Sequence, residues 1–462
     1  MAQQFKDQGG AAASDPSWLR RRIVSRVMSR LSTPETLLER RARAEKQRID
    51  DGRPHCVEYF HQVDDGYSHL IAQRLQQFAA RYDVSVKNHL VGPPQGKNVA
   101  EPDLLSRLSR YDSYHIAHGY GLAFPYHLDD PDPSLVALTT AILANQHGEH
   151  FLLVVESVST ALWSADKPAL EMLASAHGRV DGAQVEEVLA RGNARRAALK
   201  HYSGAMLYYE GEWYWGIDRL YQLELRLVAL GLDKDPEKPL LAPRPAVASG
   251  DLRDDGSLRL EVYASLRSPY TAVIFDKAVQ LARDTGVTLD VRPVLPMVMR
   301  GVPATREKGM YIFMDAAREA SFQGVPYGKF FDPIGNPARQ CYSLYPWAKS
   351  QGKDIELISA FLRHAFVLGV NTNNNRGLRK VVEAAGLNWR EAKQHLGSDG
   401  WQEILESNRQ AMYESGLWGV PSFRLLDSHG ETLLALWGQD RLWVIAETIR
   451  EQLLLRAESA NE

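Results

Sequence analysis

The hexapeptide Trp-Gly-x-Asp-Arg-Leu occurs twice in this chain, at residues 215–220 and again at residues 437–442. Each copy ends a segment whose pattern predicts a strand, a turn, a second strand and then a helix. An internal repeat constrains the architecture before any other signal, because each copy has to be a structural unit of similar kind. The period of roughly 200 residues is far too long for a solenoid and predicts two homologous domains.

The segments upstream of the two hexapeptides also match each other. Val-Glu-Tyr-Phe at residues 57–60 corresponds to Leu-Glu-Val-Tyr at 260–263, and Gly-Tyr-Ser at 66–68 corresponds to Pro-Tyr-Thr at 269–271. Both pairs predict a strand, a short turn with a tyrosine and a hydroxyl residue, and a long helix. The repeat therefore extends over most of each proposed domain.

Four parts of the chain follow from these patterns: a helical extension at 1–52, a first domain at 53–232, a proline-rich linker at 233–257 and a second domain at 258–456. In both domains the predicted order is βαβ, a helical insertion, and then ββα. A βαβ unit requires a parallel strand pair, and the closing hairpin adds antiparallel strands. We expect an α/β protein of two tandem thioredoxin-like domains, each with an inserted helical subdomain.

The composition is that of a soluble globular protein, with 462 residues, 44% hydrophobic and 24% charged. A net charge of −3 provides no electrostatic footprint for nucleic acid, and no apolar run approaches the ~18–20 residues that span a bilayer. Cys56 and Cys341 form no Cys-x-x-Cys motif, which excludes a dithiol centre and a cysteine-rich zinc site. Two histidine pairs lack a further ligand, so we expect no metal.

The extension at 1–52 is predicted to be helical. Residues 1–13 lack the continuous apolar core of a secretory signal, and we expect a cytoplasmic protein. Residues 20–30 are basic, and apolar residues recur there at helical spacing, namely Trp18, Leu19, Ile23, Val27 and Leu31. We favour a helix that docks on the body of the protein; a targeting peptide and a membrane-surface helix share the pattern. Ser-Thr-Pro-Glu at 32–35 predicts the start of a second helix.

Ser268 is the best local candidate for chemistry, at the point where a predicted strand turns into a helix. Pro269 suits the first helical turn, because its missing N–H would have no partner there. Ser268 is then the N-cap, with its hydroxyl at the positive end of the helix dipole. Such a terminus can hold an anion, for example a thiolate, although a plain capping serine fits the residues equally well.

The stretch Gly-Val-Pro-Ser-Phe at 419–423 is a second candidate, directly before the closing hairpin. Proline is unusual at the start of a buried strand because it removes a ladder donor. A cis Val420–Pro421 bond would explain it and would expose the Val420 backbone for pairing with a ligand, whereas an ordinary turn is the alternative. We predict the cis bond, and no corresponding cis-proline in the first domain.

Four motifs occur in order in the second domain: Ser-Pro-Tyr-Thr at 268–271, Lys-Gly-Met-Tyr at 308–311, Gly-Val-Pro-Ser-Phe at 419–423 and Trp-Gly-Gln-Asp-Arg-Leu at 437–442. With this set, the domain resembles the DsbA-like thioredoxin superfamily, in the branch with 2-hydroxychromene-2-carboxylate isomerase and kappa-class glutathione transferases. The resemblance implies glutathione as the cofactor. One departure is Met-Val-Met-Arg at 297–300, where the family leads us to expect an Asn contact to glutathione.

The resemblance also implies a role for each matching residue. Ser268, before Pro269, would hydrogen-bond the glutathione sulfur, and Lys308 would meet the glycine carboxylate. The peptide backbone would pair with the protein at Val420 and Pro421. The γ-glutamyl end would be held by the polar pair Gln439 and Asp440. A helix N-terminus, a cation and an acid together complement the charges that glutathione presents.

The first domain has the same predicted order of strands and helices but lacks these residues. Asp65-Gly66 stands where Ser268-Pro269 stands, and a carboxylate would repel a thiolate. Residues 203–206 have no proline at the position of Pro421. We expect a degenerate copy that serves pairing, regulation or a different ligand. The hexapeptide residues that survive in it are expected to serve the fold in both domains, namely Trp215, Asp218 and Arg219.

The leading hypothesis is a glutathione-dependent isomerase or transferase that acts on a small electrophilic substrate, aromatic-derived compounds included. If the thiolate adds to the substrate reversibly, the outcome is isomerisation. If the adduct is retained, the outcome is conjugation, and the sequence leaves both open. Two alternatives are a non-catalytic thioredoxin-like scaffold and a thiol–disulfide oxidoreductase, the latter disfavoured because Ser268 replaces the attacking cysteine. A homodimer and a pseudo-dimer within one chain are both compatible with the repeat.

Overall fold

The structure, a computed structural model, describes residues 15–126, 129–302 and 305–459. The protein is α/β, with two four-stranded mixed sheets and many helices. The chain divides into two compact units, one made of residues up to Leu38 and from Ala246 onward, the other of Glu39–Pro245. Among the described residues, no helix is both long enough and apolar enough to cross a membrane.

Two helices precede the first sheet, α1 (Trp18–Leu31) and α2 (Pro34–Asp50). The predicted start at Pro34 is confirmed, and the Thr33 hydroxyl accepts a hydrogen bond from the Thr36 amide at 3.2 Å. Helix α1 docks on the body of the protein, as we favoured, and it does so through its polar face. Its buried side chains are Arg21 and Ser25, because these polar groups find partners in the loop at 328–334. Most of the apolar side chains that mark the helical spacing remain exposed, namely Trp18, Leu19, Ile23 and Val27.

The unit Glu39–Pro245 contains the first sheet. Its elements are β1 (Cys56–His61), α3 (Gly66–Arg81), β2 (Ser85–Leu90), α4 (Pro102–Ala117), α5 (Pro133–Ala144), α6 (Glu149–Trp163), α7 (Lys167–His177), α8 (Gly182–Ala198), β3 (Met206–Tyr209), β4 (Glu212–Trp215) and α9 (Gly216–Ala229). The strand order is β2-β1-β3-β4. The β1–β2 pair is parallel, and the other two pairs are antiparallel.

The unit that begins at Ala246 contains the second sheet. Its elements are β5 (Arg259–Ala264), α10 (Pro269–Thr285), β6 (Thr288–Pro293), α11 (Arg306–Phe322), α12 (Asn336–Ser350), α13 (Asp354–Phe366), α14 (Asn375–Ala384), α15 (Trp389–His395), α16 (Trp401–Glu414), β7 (Ser422–Leu426), β8 (Thr432–Trp437) and α17 (Leu442–Ser459). The strand order is β6-β5-β7-β8, with the same directions as in the first sheet. A 3-10 turn at Gln439–Arg441 precedes α17, which therefore begins two residues later than we predicted from Asp440.

The central strands β1 and β5 are buried over nearly their whole length, as expected for strands with a neighbour on each side. Each carries one buried glutamate at the same position, Glu58 and Glu261. Glu58 pairs with His89 on β2, and Glu261 pairs with Arg292 on β6, both at 2.8 Å. A buried carboxylate needs such a partner, since an unpaired charge in the core is costly.

Each unit also contains an equivalent internal contact at the corresponding position. The Tyr67 hydroxyl donates to the Asp112 carboxylate at 2.7 Å, and the Tyr270 hydroxyl donates to Asp315 at 2.8 Å. In each pair the two residues lie 45 positions apart in the sequence. Both hexapeptide glycines, at 216 and 438, have positive φ, a conformation that favours glycine. The sequence repeat therefore corresponds to a repeated topology with repeated polar contacts.

Candidate functional site

Ser268 caps the N-terminus of α10, and Pro269 occupies its first turn, as predicted. The Ser268 hydroxyl accepts a hydrogen bond from the Thr271 amide at 3.2 Å. This bond is favourable because the first amides of a helix have no partner within it. The Ser268 side chain is partly exposed, so the hydroxyl lies at the positive end of a 17-residue helix within reach of a ligand.

The Val420–Pro421 peptide is cis, which confirms the prediction, and no other described peptide bond is cis. The Ser268 hydroxyl donates to the Val420 carbonyl at 3.1 Å and so joins the helix cap to this loop. The Pro421 carbonyl accepts from the Gly438 amide at 3.0 Å, and Ala205 accepts from Gly216 at 2.7 Å in the first unit. The structure therefore brings Ser268, Val420 and Pro421 together, and Ala205 takes the position of Pro421 in the first unit.

The loop before Pro421 is held by aromatic packing and by a buried arginine. A side chain at Gly419 would collide with the Trp437 ring, which explains the glycine of the motif. Trp418 packs on Trp437 with ring centroids 4.8 Å apart. Arg300, which is 3% exposed, donates to the Trp418 carbonyl at 3.1 Å, and burial lowers the pKa of its guanidinium. Arg300 ends the stretch 297–300 that departs from the family pattern, and its contact supports the cis-proline loop.

Lys308 and Gln439 lie near opposite ends of α11. Lys308 is in its first turn, where its amide donates to the capping Thr305 hydroxyl at 3.2 Å, and burial lowers the pKa of its ammonium. Gln439 is buried and donates to Glu319 at 2.6 Å, while Gln323 donates to Gln439 at 2.9 Å. At 1.5 Å of rise per residue, Lys308 and Glu319 are about 17 Å apart along α11. Lys308 and Gln439 therefore do not meet.

Asp440 contacts the neighbouring Arg441, and an equivalent contact occurs at Asp218 in the first unit. It forms an ion pair with Arg441 at 3.4 Å, and Arg441 is 2% exposed. The Arg441 guanidinium also donates to the Asp440 carbonyl at 3.4 Å, and Arg219 donates to the Asp218 carbonyl at 3.2 Å in the first unit. The shared contact supports the expectation that this Asp-Arg pair stabilises both folds.

Two polar networks beside Ser268 were not predicted from the sequence. Asp315, fully buried, accepts from Tyr270 at 2.8 Å and from Arg318 at 3.1 Å. Arg267 makes a bidentate ion pair with Asp332, at 2.8 and 3.2 Å. The equal Tyr-to-Asp spacing in the two halves was present in the sequence as a signal for the first network. The second joins distant loops and has no local signal.

Asp65 takes the position of Ser268 in the first unit and caps α3. Its carboxylate accepts from the Ser68 amide at 3.0 Å and from the Ser68 and Ser109 hydroxyls, both at 2.9 Å. Burial raises the pKa of Asp65 to about 6, although these hydrogen bonds oppose the shift. Near neutral pH the carboxyl is mainly ionised, so an anion at this helix terminus would be repelled.

The two cysteines lie apart from the Ser268 region of the sequence and form no disulfide. Cys341 is fully buried, and burial raises the pKa of its thiol, which disfavours the reactive thiolate. Among the described residues, no three histidine, cysteine or acidic side chains cluster in a way that could hold a metal ion.

A family model described as a DSBA-like thioredoxin domain matches residues 259–450, which contain the second sheet. No curated protein matches the chain. The chain is similar to the solved structure of 2-hydroxychromene-2-carboxylate isomerase, with 19% identity over 44% of this chain and 99% of that one, at a TM-score of 0.37. It is also similar to the solved structure of the cytosolic disulfide reductase DsbM from Pseudomonas aeruginosa with GSH. The identity is 16% over 43% of this chain and 99% of that one, at a TM-score of 0.32.

Proposed function

We propose that the unit with the second sheet is a glutathione-dependent isomerase or transferase that acts on a small electrophilic substrate. The observation that carries the proposal is the Ser268 hydroxyl, at the N-terminus of α10 and 3.1 Å from the Val420 carbonyl. A hydroxyl donor at the positive end of a helix stabilises a thiolate. The match of residues 259–450 to a DSBA-like thioredoxin domain is compatible with this role.

The residues present fit glutathione best at its sulfur, its backbone and its glycine end. Ser268 would hold the thiolate, and the backbone at Val420 and Pro421 would pair with the tripeptide. Lys308 lies in the first turn of α11 and would meet the glycine carboxylate. When bound, glutathione supplies a thiolate nucleophile for an electrophilic carbon. Ser268 would lower the pKa of that thiol by donating to its ionised form.

Gln439 and Asp440 remain in the proposal for the γ-glutamyl end because they begin the last helical segment beside Gly438. Both side chains already have partners within the protein, Glu319 for Gln439 and Arg441 for Asp440. Substitution of either residue would therefore disturb the fold as well as the ligand. Their contribution is best tested after that of Ser268.

We further propose that residues 53–232 and 258–456 are tandem thioredoxin-like copies, each with a helical insertion, joined by the linker at 233–257. Support comes from the identical strand order, from the paired Tyr–Asp contacts and from the positive φ of both hexapeptide glycines. The first copy would not bind glutathione, because Asp65 occupies the place of Ser268 and Ala205 that of Pro421.

Calorimetric titration of the full chain with reduced glutathione tests the proposed function directly. Binding of one equivalent, together with turnover of a generic aromatic electrophile or isomerisation of an aromatic-derived substrate, is the expected result. Absence of binding at millimolar concentration would reject the enzyme and leave the non-catalytic scaffold. A disulfide reductase activity would require one of two cysteines, and Cys341 is fully buried.

A further inference from the structure

Helix α1 exposes its apolar side chains to solvent. Leu19, Ile23 and Val27 follow each other at intervals of four residues and therefore form one stripe along the helix. Their exposed fractions are 58%, 55% and 51%, and that of Trp18 at the helix start is 58%. A monomeric soluble protein rarely exposes a contiguous stripe of this kind without a partner.

The opposite, polar face of α1 is fixed to the loop at 328–334 by hydrogen bonds. Arg21 donates to the carbonyls of Asp332 and Ile334 at 2.6 and 2.7 Å. The Ser25 hydroxyl accepts from the Asp332 amide at 3.0 Å, and the Ser29 hydroxyl accepts from the Phe330 amide at 2.8 Å. These hydrogen bonds hold the polar face of the helix against the loop. Rotation that buries the apolar stripe would break all of them.

The charged side chains of α1 itself all have the same sign. Four exposed arginines flank it, and α1 contains no acidic residue. The arginines are Arg20, Arg22, Arg26 and Arg30. The Arg22 guanidinium lies over the Trp18 ring at 5.3 Å, which keeps cation and aromatic ring together at the helix start. An exposed face made of arginine, tryptophan and aliphatic residues has the composition of helices that lie in the plane of a membrane interface.

We infer that the outer face of α1 is a docking surface for a membrane that contains anionic phospholipid. Lipid phosphates and carboxylates complement the four arginines, while the acyl boundary accommodates Leu19, Ile23 and Val27. A second copy of this chain fits less well, because a symmetric contact would bring two identical arginine-rich faces together. The helix would bind as a peripheral element with its axis in the membrane plane.

Vesicle flotation of the full chain tests this inference without glutathione, so its outcome is independent of the proposed catalysis. The chain is expected to float with phosphatidylcholine vesicles that contain phosphatidylserine, and much less with pure phosphatidylcholine. Each arginine near an anionic surface contributes a factor of about five to the binding constant, so Arg26→Gln/Arg30→Gln should weaken binding roughly 25-fold. Ile23→Glu/Val27→Glu should weaken it by more than about tenfold.

Leu153→Glu/Met172→Glu is the matched control, because it places the same two charges at exposed apolar positions of α6 and α7. This variant should float like wild type. The inference is overturned if wild type does not float with anionic vesicles, or if both double glutamate variants float equally well. A wild-type dimer that Ile23→Glu/Val27→Glu dissociates, measured by light scattering, would also overturn it in favour of a second copy as the occupant.

Discussion

The Ser268 hydroxyl donates a hydrogen bond to the Val420 carbonyl oxygen at 3.1 Å, across 152 residues of sequence. Ser268 caps α10, and Val420 precedes the cis Pro421 at the start of β7. A serine hydroxyl has one proton to donate. A thiolate at this site would therefore compete with the Val420 carbonyl for that proton, and the hydroxyl would turn from the carbonyl to the sulfur when the ligand binds.

Replacing Ser268 with alanine should weaken the binding of the glutathione thiolate. Loss of a hydrogen bond to a charged group costs roughly 1.5–3 kcal/mol, equivalent to about ten- to a hundredfold in affinity or thiolate-dependent rate. Calorimetry with glutathione and with S-methylglutathione separates the two roles of the residue. Only glutathione should lose affinity in Ser268→Ala, since the methylated ligand has no thiolate. An equal loss for both ligands would mean that Ser268 only supports the fold.

Tyr270→Phe and Tyr67→Phe form a matched pair, because each removes a hydroxyl from a buried carboxylate, Asp315 or Asp112. Each substitution should lower the free energy of unfolding by about 1–3 kcal/mol, measured by chemical denaturation. Only Tyr270→Phe should also reduce glutathione binding, since Tyr270 lies two residues from Ser268. Equal effects of the two variants on binding would contradict the assignment of the site to the second unit.

Gly419→Ala should destabilise the protein, because the added methyl group would collide with the Trp437 ring. Overpacking of this kind typically costs 1–3 kcal/mol, and thermal denaturation would report it. Gly309→Ala is the control, as a side chain there meets no neighbouring atom and the residue lies within α11. Alanine is favoured over glycine inside a helix, so Gly309→Ala should stabilise by up to about 1 kcal/mol. Equal effects would show that the Gly419 contact is unimportant.

Asp65 should make stability fall as the pH rises. Burial raises its pKa from 3.8 to about 6, so the folded state holds a proton that the unfolded state has already lost. Stability therefore decreases between about pH 4 and pH 6 and is level above that range. Wild type should lose about 1–3 kcal/mol more than Asp65→Asn over this interval, measured by urea denaturation at several pH values. Parallel curves for the two proteins would show that Asp65 titrates normally.

Helix α1 shows what a local pattern leaves undecided. Helical spacing identified the helix and its apolar stripe, and by default that stripe would be expected to face the protein. The loop at 328–334 instead offers backbone groups to Arg21 and Ser25, which bury the polar face. Some 300 residues separate these partners in the sequence, so no pattern within the helix could indicate them.

Arg300 and Glu319 show the same limit at the candidate site. Arg300 supports the Trp418 carbonyl, and Glu319 binds Gln439, each through contacts between segments more than 100 residues apart. Neither has a neighbour in sequence that indicates its partner. The Tyr270–Asp315 pair differs, because its spacing of 45 residues recurs in the first unit and was open to detection from the repeat.

The sequence by itself determined the order of the strands and helices, the helix cap at Ser268, the proline that becomes cis and the repeat that relates the two halves. These features depend on short-range rules of capping, alternation and turn chemistry, which act between residues close in the chain. Only the tertiary structure decided that Ser268 meets Val420, that Gln439 is buried against Glu319 and that α1 exposes its apolar face. Those outcomes depend on which distant groups satisfy each other's hydrogen bonds once the chain is packed, and local sequence does not contain that information.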